Sequence, residues 1–191
     1  RAALELNPQF AEAHYNLGVI FMREGAIGQA TTEFERTLAI TPRHAQALNN
    51  LGVAWDARAD TKKALDYFKK ATAADATFAE AWFNQGMSYM KLNNQPQATK
   101  AFEQALKLEP GSTGPYVQLG TLYLKQGKKD RAFEAFTKAI AAAEAEEKDS
   151  KGFLQLRKLN AARRSTDAYR GLALTQLAMG KIDDAVATLK T

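Results

Sequence analysis

The sequence predicts an all-α protein, an α-solenoid of antiparallel helix pairs stacked side by side. Three observations predict it. Alanine fills 36 of 191 positions while aromatic residues make up only 9%, and alanine is the best helix former and a poor strand former. A segment also recurs: Phe10-Ala-Glu-Ala-His-Tyr-Asn-Leu-Gly18 returns 68 residues later as Phe78-Ala-Glu-Ala-Trp-Phe-Asn-Gln-Gly86, with Ala45-Gln-Ala-Leu-Asn-Asn-Leu-Gly52 halfway. The period is 34, the size of one helix pair. Finally, Gly, Asn and Pro punctuate the chain at that same interval, as helix ends require.

A window opened at Ala11 gives copies 11–44, 45–78, 79–112 and 113–146. Place 8 is Gly18, Gly52, Gly86 and Gly120; place 11 is Phe21, Trp55, Tyr89 and Tyr123. Place 20 is Ala30, Ala64, Ala98 and Ala132; place 24 is Phe34, Phe68, Phe102 and Phe136. Places 4, 7, 8 and 11 share one face of a first helix, and places 20, 24 and 27 share one face of a second. Small residues let the two backbones approach, and the rings fill the space beside them.

Place 15 (Gly25, Ala59, Asn93, Gly127) separates the two helices, and Gly or Asn there suits a helix C-terminal cap. Pro8, Pro42 and Pro110 stop the second helices. The expected pairs are 11–24 and 27–40, 45–58 and 61–74, 79–92 and 95–108, then 113–126 and 129–148. Pro96 and Pro115 belong in first turns, where a missing N–H costs little. In the fourth copy Glu144 replaces the stopping proline, so the helix runs on through Ala145 and Glu147. A long hairpin then turns at Asp149-Ser-Lys-Gly152, with Phe153, Leu156 and Leu159 packing onto Ala141, Ala142 and Ala145. Residues 147–165 are an insertion. A fifth, partial copy, 166–191, carries Tyr169, Leu172, Ala173, Gly180, Ala185 and Leu189 on helices expected at 153–179 and 182–190. Residues 1–10 read as the tail of an upstream copy.

These places resemble the tetratricopeptide repeat family over nearly the whole chain except 147–165. The resemblance implies one right-handed superhelix, residues 1–191, of about four full and two partial repeats. It also implies a scaffold without catalysis of its own. Bacterial relatives serve pilus assembly, secretion and organelle scaffolds, and nothing in these residues selects among them.

Each repeat touches only its neighbours, so stacking leaves a concave wall lined by the first helices. Places 2, 5, 6, 9, 12 and 13 face away from the pair's own core, and the charges Asp56 and Glu80 among them look isolated. The candidate partner-binding set there is Tyr15, Asn16, Val19, Met22, Asn49, Asn50, Val53, Phe83, Asn84, Met87, Met90, Gln118 and Leu124. Apolar area outside a helix pair marks a binding site, and methionine adapts to varied shapes. The competing reading half-buries several of these residues against the adjacent repeat. Asn16, Asn50 and Asn84, followed by Gln118, stand one period apart. An amide row can pair with a peptide backbone without reading its side chains, or it can pair within the protein. The row is similar to the asparagine ladder in the repeat domain of O-linked N-acetylglucosamine transferase. The family members that hold chaperone tails use lysine at place 5 and asparagine at place 9. Here place 5 is Tyr15, Asn49, Phe83 and Val117, and place 9 is Val19, Val53, Met87 and Thr121, so that ligand class is disfavoured.

Charge is local. Residues 1–112 hold 12 basic and 12 acidic residues, while 113–191 hold 14 and 9. A basic patch, Lys151, Arg157, Lys158, Arg163, Arg164 and Arg170, faces only Asp167 within 151–170. It reads as a solvated helix face, as a dock for an acidic protein surface or, least favoured, as a phosphate contact for nucleic acid. The chain has no Cys, which excludes disulfides, cysteine nucleophiles and thiolate metal sites. Two histidines cannot build a histidine-rich metal centre; His14 sits at a core place and His44 in a turn. No phosphate-binding loop, catalytic constellation, metal or cofactor site is expected. The partner is therefore a protein or peptide, with self-association through uncapped repeat ends as the alternative reading. No apolar run is long enough to span a bilayer. The compartment stays open: a Cys-free chain fits a reducing cytoplasm, and a chain opening with Arg1 lacks any targeting segment of a parent, which keeps the periplasm open.

Overall fold

The computed structural model describes residues 10–149 and 155–190, with side chains described outside 146–163. Ten helices are described. They are α1 (Ala11–Arg23), α2 (Ile27–Ile40), α3 (Ala45–Ala57), α4 (Thr61–Ala74), α5 (Ala79–Lys91), α6 (Gln95–Leu108), α7 (Thr113–Lys125), α8 (Lys129–Asp149), α9 (Gln155–Ala178) and α10 (Ile182–Thr188). These bounds fall within two residues of the expected ones, apart from the end of α8 and the start of α9, which border residues outside the described ones. Pro96 and Pro115 lie in the first turns of α6 and α7, and Pro42 and Pro110 follow the ends of α2 and α6. The proposed turn at 149–152, the packing of Phe153, Leu156 and Leu159, and the upstream tail lie outside the described residues or side chains.

The helix ends follow from backbone chemistry. The place-15 residues Gly25, Ala59, Asn93, Gly127 and Gly180 all adopt positive φ, between 58° and 80°. Glycine enters that left-handed region freely, whereas alanine at Ala59 pays a steric penalty. Asp60 accepts a hydrogen bond from the Lys63 N–H at 3.0 Å and caps α4. His44 Nδ1 accepts from the Ala47 N–H at 3.2 Å and caps α3.

The chain packs as two compact units, Arg1–Ala101 and Phe102–Thr191, with the boundary inside α6. In the first unit, Phe21, Ala30, Phe34, Ala47 and Leu51 form one core cluster, and Leu48, Ala71 and Ala81 form a second. The small-and-ring pairing sets how closely the helices approach. A Cβ added at Gly18 would stand 2.6 Å from the Phe34 ring, and one at Gly52 would stand 2.5 Å from the Phe68 ring. Real Cβ atoms do not come so close, so these glycines are spatial requirements.

In the second unit Phe136 of α8 sits between two glycines, Gly120 of α7 and Gly171 of α9, and a Cβ at either would overlap its ring. The Lys129 ammonium donates to the Ala178 carbonyl, and the Tyr169 hydroxyl donates to Glu144 at 3.4 Å, so α8 and α9 run alongside each other. Asp183 and Asp184 occupy the first turn of α10, where negative charge complements the helix dipole.

Candidate functional site

In the first unit the first helices α1, α3 and α5 lie side by side, joined by polar bonds that repeat at one spacing. Asn50 Nδ2 donates to the Tyr15 hydroxyl oxygen at 3.5 Å, and Asn84 Nδ2 donates to Asn49 Oδ1 at 3.0 Å. The Lys91 ammonium donates to both Asp56 oxygens at 2.7 Å. Each link spans 35 residues: place 5 of one copy meets place 6 of the next, and place 12 meets place 13. This is the helix-pair period plus one, because successive positions of a helix point about 100° apart, so place 5 faces the following first helix and place 6 the preceding one. The spacing was present in the sequence as Tyr15/Asn50, Asn49/Asn84 and Asp56/Lys91, and is recognised only once the direction of stacking is known.

These links change the reading of several wall residues. Asn49 does not lie on an open wall. It is 1% exposed, because place 5 points at the next repeat, and its amide donates to Glu80 at 3.1 Å while accepting from Asn84. Asp56 and Glu80, which look isolated in the sequence, are paired with Lys91 and Asn49. Tyr15, Val19 and Met22 pack against the first core cluster and are half-buried. Burial raises the Tyr15 phenol above its ordinary pKa, opposed by the Asn50 bond and reinforced by Glu12 and Glu80, so it stays protonated. Its ring lies 4.9 Å from that of His44.

Asn16 is exposed on α1. Asn50, Val53, Phe83, Asn84, Met87 and Met90 are half-buried along α3 and α5, so part of each meets solvent. Gln118 and Leu124 are half-buried on α7 of the second unit. Of the basic patch, Arg164 and Arg170 are described. Both are exposed, and Arg170 is paired with Asp167 at 2.8 Å. Lys151, Arg157, Lys158 and Arg163 lie outside the described side chains.

His14 is buried at its core place, and its Nδ1 meets Glu33 Oε2 at 2.6 Å. Arg36 donates to the other Glu33 oxygen at 2.8 Å. The sequence places His14 in the core but gives no sign of Glu33, a buried acid held between an imidazole and a guanidinium. Among the described residues no group of three His, Asp or Glu side chains could hold a metal ion, and no helix is long and apolar enough to cross a membrane.

Comparison with known proteins fits this geometry. Tetratricopeptide repeat models match residues 1–40 and 26–77, residues 79–112 and residues 114–146. No curated protein sequence matches the chain. Several solved structures share the fold. MamA is 23% identical with a TM-score of 0.73, the match covering 94% of this chain and 88% of that one. YrrB, described as a repeat protein with an unusual peptide-binding site, is 19% identical with a TM-score of 0.73, covering 99% and 88%. PilW, described as a widely conserved type IV pilus biogenesis factor, is 21% identical with a TM-score of 0.74, covering 98% and 78%.

Proposed function

The chain belongs to the tetratricopeptide repeat family, and on that footing we propose that it is a protein-interaction scaffold. The wall formed by α1, α3 and α5 holds an extended protein segment and performs no chemistry itself. One observation carries the reading: Val53, Phe83, Met87 and Met90 are partly open to solvent beside the amides of Asn50 and Asn84. Apolar area with flexible methionines accepts varied side chains.

The amides refine what the wall offers. Their donor ends are engaged by Tyr15 and Asn49, but an amide oxygen carries two lone pairs. Asn50 and Asn84 therefore present acceptors one period apart to the N–H groups of an extended backbone, and the apolar row takes its side chains. A member of this fold, YrrB, is described as having a peptide-binding site, which supports the assignment by analogy of fold.

The test is a photoreactive residue placed at Met87, compared with one at Lys62, which is exposed on α4. Crosslinks in the native cell should form from position 87 to one partner segment and fail from position 62. They should also fall away when Asn50→Ala and Phe83→Ala are added to the position-87 chain without loss of fold. Equal crosslinking from both positions overturns the wall as the binding surface.

A further inference from the structure

The sulfur of this chain lies where solvent reaches it. There are four methionines, Met22, Met87, Met90 and Met179, and no cysteine. The buried apolar core of the described residues is built from Phe, Leu and Ala, none of which carries sulfur. All four methionines are half-buried, so part of each side chain meets solvent. Met87 and Met90 stand at places 9 and 12 of α5, in the row that holds Val53 and Phe83. Three residues apart, they share one face of the helix. Met22 holds place 12 on α1 but packs against the first core cluster. Met179 lies away from the wall, lining an open notch with Gly127 and Lys128 at the turn between α7 and α8.

We propose that Met87 and Met90 are a reversible oxidation site, and that their oxidation state regulates whether the wall holds its partner segment. The oxidant is hydrogen peroxide. A lone pair on each thioether sulfur attacks a peroxide oxygen, the O–O bond breaks and an S–O bond forms. The sulfur loses two electrons and becomes the sulfoxide, and the proton of the transferred hydroxyl joins the departing hydroxide as water. A dithiol-dependent reductase reverses the step: the oxygen leaves as water and the dithiol becomes a disulfide.

The change falls at the centre of the site. A thioether is apolar, flexible and polarisable, which lets it accept varied side chains. A sulfoxide is polar and chiral. When an apolar ligand side chain covers it, its oxygen loses water without gaining a donor, and each such burial weakens binding by roughly 5- to 100-fold. The fold is spared, because both side chains already reach solvent and the new oxygen keeps its water in the unliganded chain. The joints between first helices, Asn50 with Tyr15 and Asn84 with Asn49, contain no sulfur either. This proposal rests on the wall reading and adds its regulation.

The test uses the purified 191-residue chain with a photoreactive residue at Val53, since position 87 must stay methionine. The chain is treated with hydrogen peroxide, the peroxide is destroyed with catalase, and the chain is then crosslinked in an extract of its native cell. Mass spectrometry should find Met87 and Met90 as sulfoxides, and the melt followed by circular dichroism should match that of the untreated chain. Crosslinking to the partner segment should fall by about tenfold or more, and methionine sulfoxide reductases acting on both epimers should restore it. A chain carrying Met87→Leu and Met90→Leu should crosslink equally before and after peroxide. An oxidised chain that crosslinks like the reduced one overturns the proposal. So does a leucine-substituted chain that loses its crosslinks on peroxide treatment, which would put the sensitive group at Met22 or a tryptophan. So does an oxidised chain that unfolds. If the untreated chain gives no crosslink from position 53, the wall reading fails and the regulation falls with it; a crosslink that forms and survives oxidation defeats the regulation alone.

Discussion

Gly52→Ala separates packing from helix propensity. An added Cβ would stand 2.5 Å from Cε1, 2.6 Å from Cδ1 and 2.9 Å from Cζ of Phe68, where ordinary contact begins at 3.4 Å. The ring would have to retreat by about 0.9 Å, the difference between 3.4 and 2.5 Å. Phe68 is 3% exposed, so it has nowhere to go without moving α3 away from α4. Forcing an extra carbon into such a site costs about 1–3 kcal/mol. Replacing glycine by alanine inside a helix gains about 1 kcal/mol of propensity. Gly28→Ala is the control: it lies in α2, and its nearest neighbour, an Arg58 nitrogen, is 3.8 Å away. Both substitutions gain propensity, so the difference between them isolates the clash, at about 1–3 kcal/mol. Urea unfolding followed by circular dichroism measures it. Adding Phe68→Leu to Gly52→Ala should cost less than the two single changes summed, because the ring that clashes is gone. If Gly52→Ala matches or exceeds the stability of Gly28→Ala, the close helix approach argued here is wrong.

Other consequences are as direct. Ala59→Gly should stabilise the chain by up to about 1 kcal/mol in the same assay, since the left-handed backbone penalises alanine more than glycine's extra unfolded freedom costs. Glu33→Ala should destabilise by about 1–3 kcal/mol, because it removes the carboxylate that buried His14 Nδ1 meets at 2.6 Å. A double-mutant cycle of Asp56→Ala and Lys91→Ala should return a coupling of only about 0.2–1 kcal/mol, as expected of a solvent-exposed pair, and that coupling should shrink in high salt.

The helices were legible because their signals are local. A glycine or asparagine after the first helix, a proline after the second and a small residue at places 8 and 20 each act on their own neighbourhood. Period 34 then carried one assignment to every copy. The wall was only half legible. The helical period tells which places leave the pair's own core, but it does not tell on which side the next repeat lands. Places 5, 9 and 12 lie at that boundary, which is why Asn49 is buried and why Val19 and Met22 support the core while also edging the wall. Glu80 looked isolated because its partner Asn49 lies 31 residues away. The division into two compact units had no marker in the sequence, since α6 crosses the boundary without a break in its helical pattern.

The polar joints between first helices are asymmetric: one copy supplies the acceptor at its fifth place and the following copy supplies the donor at its sixth. A tandem duplication of any 34 residues carrying both would arrive with half of each joint already in place. New copies can therefore be spliced into the row without inventing a contact surface, while a phenylalanine at the fifth place, as at Phe83, supplies no acceptor to hand on.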